Sequence, residues 1–310
     1  MGGNVFKDRT QSIKKENIEP TVKKYFKELS KVFPQKKDMF SKEYLKYVGS
    51  VGKKAESGDI DFAIDTKSII KDFSDESIME WGLNPEEVKE QMLKYKKRAR
   101  TATDEELTLR AILKGIVTRI NLESDNIYSD EVKISAGSIF SLFPQYNQEG
   151  QELASGVQID WMIGSLDLLE FSYYSEVYDG NVKGLHRTQL IVSVFNNIGV
   201  TYSHTKGIFL KGSKEIITKN PKEIIDYLNE KYRFSITREI IGNYFLFYEY
   251  LQENLPEDEL MKIMNIYFRI LSYTRTDIPY NVQDLWLGLN ETEHYETKFL
   301  PEDSSLKGIK

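Results

Sequence analysis

The stretch from Tyr47 to Asp65, YVGSVGKKAESGDIDFAID, constrains the fold of this chain more than any other part of it. YLKYVG reads as a short strand, GSVGKKAESGD as a glycine-containing turn and IDFAID as a second strand, because strand side chains alternate between faces and turn residues bound each run. Asp59 and Asp61 stand two apart, so an extended backbone projects both carboxylates from one face and turns Ile60 to the other. Two carboxylates held close repel unless one is protonated or a cation lies between them. Oxygen ligands of this kind suit Mg²⁺, which keeps waters and shares substrate phosphates. Taken alone, the pair fits a solvated strand end as well as a metal-nucleotide site.

The surroundings bear on that choice. Gly49 permits close backbone approach, Ser50 offers a hydroxyl beside free N–H groups, and Lys53 and Lys54 supply countercharge for phosphate. Asp160 lies inside the apolar run VQIDWMI, where an acid needs a partner or an ion; a paired core acid and a third ligand are both open. The chain has no cysteine, which removes disulfides, cysteine-based zinc sites and a thiol nucleophile, and its three histidines are His186, His204 and His294. A metal here must be held mainly by oxygen.

At 310 residues, one large domain or two modest ones can be built. No window approaches the roughly 20 apolar residues of a membrane helix, so no membrane partner is expected. The opening MGGNVFKDRTQSIKKENIEP lacks an apolar signal core, and Phe6 breaks the myristoylation pattern, which leads to the expectation of a cytoplasmic protein. A net charge of -6 argues against a chain uniformly coated for nucleic acid. The charge is uneven, however: lysines crowd residues 14–54, KYKKRAR at 94–100 puts five positive residues in seven, and the sequence from Glu253 onward is acidic. A basic face on an acidic protein remains open.

Ile18, Val22, Phe26, Leu29 and Phe33 recur at helical spacing and predict an amphipathic helix over 16–33, ended by PQKKD. Further helices are expected from Pro85 to about Arg100 and over DEELTLRAILKGIVTRI. EVKISAGSIFSLF and SGVQIDWMIG read as two strands of the same sheet joined by a polar loop, and GSLDLLEFS as a loop after them. NVKGLHRTQLIVSVFNNIG reads as a helix ending at Gly199, and VTYSHTKGIFLKGS as a strand or hairpin. Three helical windows follow Lys214. His186 and Arg187, at the start of their helix, are candidate donors to a phosphate or template strand, or plain surface residues. KYKKRAR is a candidate backbone-tracking patch or a solvated helix face, and NYFLFYEYL a core stripe, a partner surface or, less readily, a stacking surface.

These residues carry a family resemblance. GSVGKKAESGDIDFAI resembles the nucleotidyltransferase signature of the DNA polymerase β superfamily, and KKAESGDID is closest to the family X DNA polymerases. Gly-Ser, a basic pair, Glu-Ser and Gly-Asp-x-Asp fall in the same order, with one residue fewer between Ser50 and Asp59. GVQIDWMIG is similar to the family's later strand bearing the third metal-binding aspartate, and KGLHRTQLIVSVFNNIGVTYSHTKGIF resembles its thumb segment. The resemblance covers roughly residues 40–212 and leaves the C-terminal third without a counterpart. Forty-eight residues precede Gly49, too few for the helical DNA-binding and lyase domains of the family's repair polymerases.

The resemblance implies an α+β fold. It would comprise a helical lead-in over 1–40, a nucleotidyltransferase palm over 41–170 (a mixed sheet flanked by helices), a thumb-like segment over 171–213 and a helical subdomain over 214–310. It implies that Asp59 and Asp61 bind two Mg²⁺ or Mn²⁺ ions and that Asp160 completes the ion activating the attacking hydroxyl. Gly49, Ser50 and Lys53 would meet the triphosphate, and Tyr178 would line the sugar or base pocket, unless it is a core or hairpin tyrosine. The implied enzyme moves a nucleoside monophosphate from a nucleoside triphosphate to a nucleic-acid 3′-hydroxyl and releases pyrophosphate. Alternative expectations are transfer to a protein, a tRNA end or a small molecule, and a catalytically silent nucleotide-sensing module.

Overall fold

A computed structural model describes residues 5–6, 9–98, 102–127, 132–135, 138–174, 179–213 and 215–293. The chain divides into two units, one ending at Leu169 and one starting at Glu170.

In the first unit a two-residue strand, β1 (Ile13–Lys14), leads directly into α1 (Lys15–Val32). The expected helix is there, and its apolar stripe buries Ile18, Val22, Tyr25 and Leu29. A 3-10 turn at Pro34–Met39 follows, then β2 (Leu45–Val48), β3 (Glu56–Ser57) and β4 (Asp59–Asp65). β1 pairs antiparallel with β3, Ile13 opposite Ser57. Hydrophobic spacing gives no sign of so short a pairing.

Each of the next four helices starts on a side-chain cap that satisfies an N–H the helix leaves unpaired. The Asp65 carboxylate accepts from Lys67 N–H to open α2 (Thr66–Ile69), and Ser74 opens α3 (Asp75–Met79). Asn84 with Pro85 opens α4 (Pro85–Lys96), and a Thr103–Glu106 capping box opens α5 (Asp104–Glu123). The basic run KYKKRAR lies at the end of α4, with Lys94, Lys96 and Lys97 exposed and residues 99 and 100 outside the described set.

β5 (Lys133–Ser135), β6 (Ser138–Tyr146) and β7 (Glu152–Gly164) complete a five-stranded sheet in the order β2-β4-β7-β6-β5. The sheet is mixed: β4 and β7 run parallel at its centre, and every other pair is antiparallel. Alternation then divides the central pair. Ile60, Phe62 and Ile64 lie level with Ile159, Trp161 and Ile163, and all six enter the apolar core. Tyr25 ties α1 to this face by a 2.9 Å hydrogen bond with Ser141 on β6. The opposite face carries Asp59, Asp61, Gln158 and Asp160.

The segment after β7 is α6 (Leu166–Ser172), not the expected loop. Its polar beginning, Gly164-Ser165, resembles a turn, but Leu168, Leu169 and Phe171 are buried and that burial favours the helix.

In the second unit α7 (Gly184–Asn197) precedes Gly199, whose φ is +73°. β8 (Val200–Ser203) and β9 (Gly207–Leu210) form the expected hairpin, and β10 (Ile216–Thr218) adds a third strand. α8 (Pro221–Tyr232), α9 (Arg238–Gly242), α10 (Tyr244–Asn254), α11 (Glu257–Thr274) and α12 (Gln283–Glu293) make up the helical remainder. α7 buries Leu190, Ile191, Val194 and Phe195, and packs on α11, which buries Ile263, Met264, Tyr267, Phe268 and Leu271.

His186 and Arg187 are both buried, so neither reaches a phosphate from solvent. The backbone N–H of Lys183 donates to His186 Nδ1, and Nε2 lies 2.9 Å from the Asp277 carbonyl. A carbonyl only accepts, so Nε2 carries the proton and the ring is neutral, in keeping with burial lowering its pKa to about 4. Arg187 donates to the carbonyls of Ile241, Phe171, Tyr174 and Ser172. Burial lowers its pKa to about 10, which leaves it charged at neutral pH. It therefore joins the end of α6 to α7 and α9. Arg187→Met strands these acceptors and is expected to lower unfolding free energy by about 3 kcal/mol in urea titration; Arg187→Lys, with fewer donors, should fall between.

Candidate functional site

The parallel register places Asp61 level with Asp160, and Asp59 level with Gln158. One carboxylate oxygen from each of Asp59, Asp61 and Asp160 lies within 4.8 Å of the other two. The structure thus brings together the three acids singled out in the sequence, although Asp160 is about a hundred residues from the pair. Asp160 is fully buried, Asp59 nearly so and Asp61 half-buried.

Burial and mutual repulsion both oppose ionisation here. Burial, and then the charges of Asp59 and Asp160, holds the Asp61 carboxyl well above the usual carboxylate range. Burial and Asp59 push Asp160 up to about 8, against a hydrogen bond from Gln158 that favours the charged form.

Gln158 was not anticipated, and its position two residues before Asp160 on the same face was the available signal. It is fully buried, and its Nε2 donates to Asp160 Oδ2 at 2.8 Å. Its Oε1 accepts from the backbone N–H of Val5 at 3.0 Å. The amide is thereby oriented with its donor towards the acid, and the N-terminal segment is linked to the site. Asp160 Oδ1, in contrast, is buried without a hydrogen-bond partner. An orphaned carboxylate oxygen beside two further carboxylates fits a divalent cation with a preference for oxygen, such as Mg²⁺ or Mn²⁺.

The turn between β2 and β3 sits against this cluster. Gly49 has φ +65°, and a Cβ there would lie 2.8 Å from Asp61 Oδ2. Only glycine lets the turn come this close without strain. Ser50 is half-buried, and its carbonyl accepts from Lys53 N–H at 3.1 Å and from Ser57 Oγ at 3.2 Å. Ser57, itself paired with β1, thus fastens the turn from below. The Lys53 and Lys54 side chains are exposed on the same turn. The Asp65 carboxylate caps α2. Tyr178 lies outside the described residues.

A cleft of about 810 Å³ opens in the same unit, lined by residues that include Lys14, Glu16, Glu56, Gln145 and Glu149. Its Glu56 belongs to β3, three residues before Asp59. Among the described residues no helix is long and apolar enough to cross a membrane.

The sequence matches no known protein family model and no curated protein.

The raised carboxyls make stability depend on pH with a definite sign. A folded-state pKa above the unfolded value means that the native state holds the proton more tightly. The resulting stability is complete below the ordinary carboxylate range and is lost as pH rises towards about 8. Without divalent cations the melting temperature should therefore fall between about pH 6 and about pH 8.5, and added Mg²⁺ should restore more of it at the higher pH. Asp160→Asn should flatten this dependence in differential scanning calorimetry; an unchanged profile would contradict the assignment.

Proposed function

We propose that this chain is a divalent-metal-dependent nucleotidyltransferase that moves a nucleoside monophosphate from a nucleoside triphosphate to a 3′-hydroxyl of nucleic acid, with release of pyrophosphate. The observation that carries this reading is the meeting of Asp59, Asp61 and Asp160, with an unpartnered Asp160 oxygen, against the Gly49 turn. The first unit is read as the palm of a DNA polymerase β-like enzyme. That reading rests on the motif residues and on the mixed sheet that carries them.

Asp59, Asp61 and Asp160 would hold the cations. Bound there, divalent ions lower the proton affinity of the attacking hydroxyl and neutralise charge on the leaving pyrophosphate. The protein's own contributions are positional. β4 and β7 hold the three carboxylates on one face, with Asp61 level with Asp160, and Gln158 orients Asp160. The turn around Gly49 and Ser50 provides backbone N–H groups, a hydroxyl and the nearby Lys53 charge for the triphosphate. No histidine base is needed, in keeping with the neutral, internally bonded state of His186.

A second reading keeps the donor and changes the acceptor to a small polar molecule. It is favoured by the cleft beside β3, whose lining holds Glu16, Glu56 and Glu149 against Lys14. Such a lining repels a polyphosphate chain and suits a hydroxyl-bearing neutral or cationic compound.

Incubation with Mg²⁺ or Mn²⁺, α-labelled nucleoside triphosphates and either a 3′-hydroxyl oligonucleotide or a small-molecule extract separates these readings. Label on the oligonucleotide is expected, and Asp61→Ala or Asp160→Asn should reduce it by about a thousandfold or more while the far-UV circular dichroism is kept. Label on small molecules alone would favour the second reading. Label on no acceptor, with no nucleotide-induced change in melting temperature, would defeat both.

A further inference from the structure

The face of α11 opposite its buried side has a composition that packing does not explain. Ile266, Arg269, Ile270 and Tyr273 follow one another at helical spacing, and with Asn196 and Lys211 they line a cavity of about 300 Å³. Tyr273 is 91% exposed, the most of any large apolar side chain among the described residues, with Leu122 next at 78%. The ring contributes almost nothing to the fold, since burial is what makes an aromatic side chain stabilising.

Among the described residues the cavity lining has two cations, one amide and no carboxylate. Charge on α11 is segregated: Glu257, Asp258 and Glu259 occupy the first turn, where Lys262 bridges to Asp258 and Glu259. Helix-dipole complementarity accounts for acids at that end and for a cation towards the other. It does not account for Lys211, which comes from the turn between β9 and β10. Two independent elements therefore bring positive charge to one exposed ring.

We propose that this surface binds single-stranded nucleic acid, with a base stacked on Tyr273 and neighbouring phosphates taken by Lys211 and Arg269. An exposed ring flanked by aliphatic side chains and cations is the arrangement that holds an unpaired base and its backbone without reading sequence. A duplex keeps its base faces stacked inside, so it offers Tyr273 nothing to lie against. The inference deepens the nucleotidyltransferase reading by naming the acceptor as a single strand; it rests on that reading for the acceptor role and not for the binding.

The test measures fluorescence anisotropy of a labelled homopolymeric DNA strand of about 20 nucleotides with the full chain, in the absence of metal and nucleoside triphosphate. Tyr273→Ala should weaken binding by about fivefold or more, and Tyr273→Phe should restore it. Lys211→Gln and Arg269→Gln should each weaken binding and lower the slope of log affinity against log salt by about one. Duplex DNA of the same length should compete poorly. Tyr273 makes little packing contribution, so its replacement should leave the melting temperature in place.

Binding by Tyr273→Ala within about twofold of the wild type, or equal binding of duplex and single strand, would overturn the proposal. So would a change of oligomeric state on Tyr273→Ala with oligonucleotide affinity unaltered, which would make the patch a self-association surface. A wild-type chain that binds strands through Tyr273 yet transfers no nucleotide would defeat the transferase reading and leave this one standing.

Discussion

The parallel pairing of β4 with β7 is the interaction on which the rest of the first unit depends. It sets Asp61 level with Asp160 on one face and Ile60, Phe62 and Ile64 level with Ile159, Trp161 and Ile163 on the other. The two faces are energetically opposed. Six buried apolar side chains, each contributing about 1.5–3 kcal/mol, hold the strands together from the core side. On the other side, three acids close together resist ionisation, as the raised Asp61 and Asp160 carboxyls record. A one-residue slip of β7 would exchange its faces, putting Asp160 in the core and Trp161 beside Asp61. The apolar pattern that secures the fold thereby also secures the site's geometry.

The same division explains why the turn around Gly49 is built as it is. The carboxylates leave no room for a side chain at Gly49, and Ser57, paired with β1 from below, donates to the Ser50 carbonyl. The N-terminal segment enters twice more, through Val5 N–H to Gln158 and Gln11 N–H to the Gly156 carbonyl. A segment that is polar and without periodicity is thus held to β7, which supplies Asp160, and to β3, which leads into the strand of Asp59 and Asp61.

Local periodicity made much of this legible. The two-residue interval placed Asp59 and Asp61 on one face, the apolar run around Asp160 marked an acid needing company, and the spacing of Ile18, Val22 and Leu29 found α1. The illegible features depend on partners distant in sequence. No local pattern states which strand lies beside β4, so the Asp61–Asp160 register and the role of Gln158 emerge only from the sheet. His186 and Arg187 looked like surface donors because a helix start with polar residues has the same composition whether their donors meet solvent or internal carbonyls. α6 was hidden by its turn-like opening, and β1 by its length of two residues.

Manganese binding followed by electron paramagnetic resonance tests the central claim most directly, because it reads the carboxylate cluster without requiring an acceptor. The wild-type chain should bind Mn²⁺ more tightly when a non-hydrolysable nucleoside triphosphate is present, since phosphate oxygens complete the ligand set. Asp61→Ala should abolish that nucleotide-dependent binding while the chain remains folded. Equal Mn²⁺ affinity in the wild type and in Asp61→Ala, with or without nucleotide, would contradict the account.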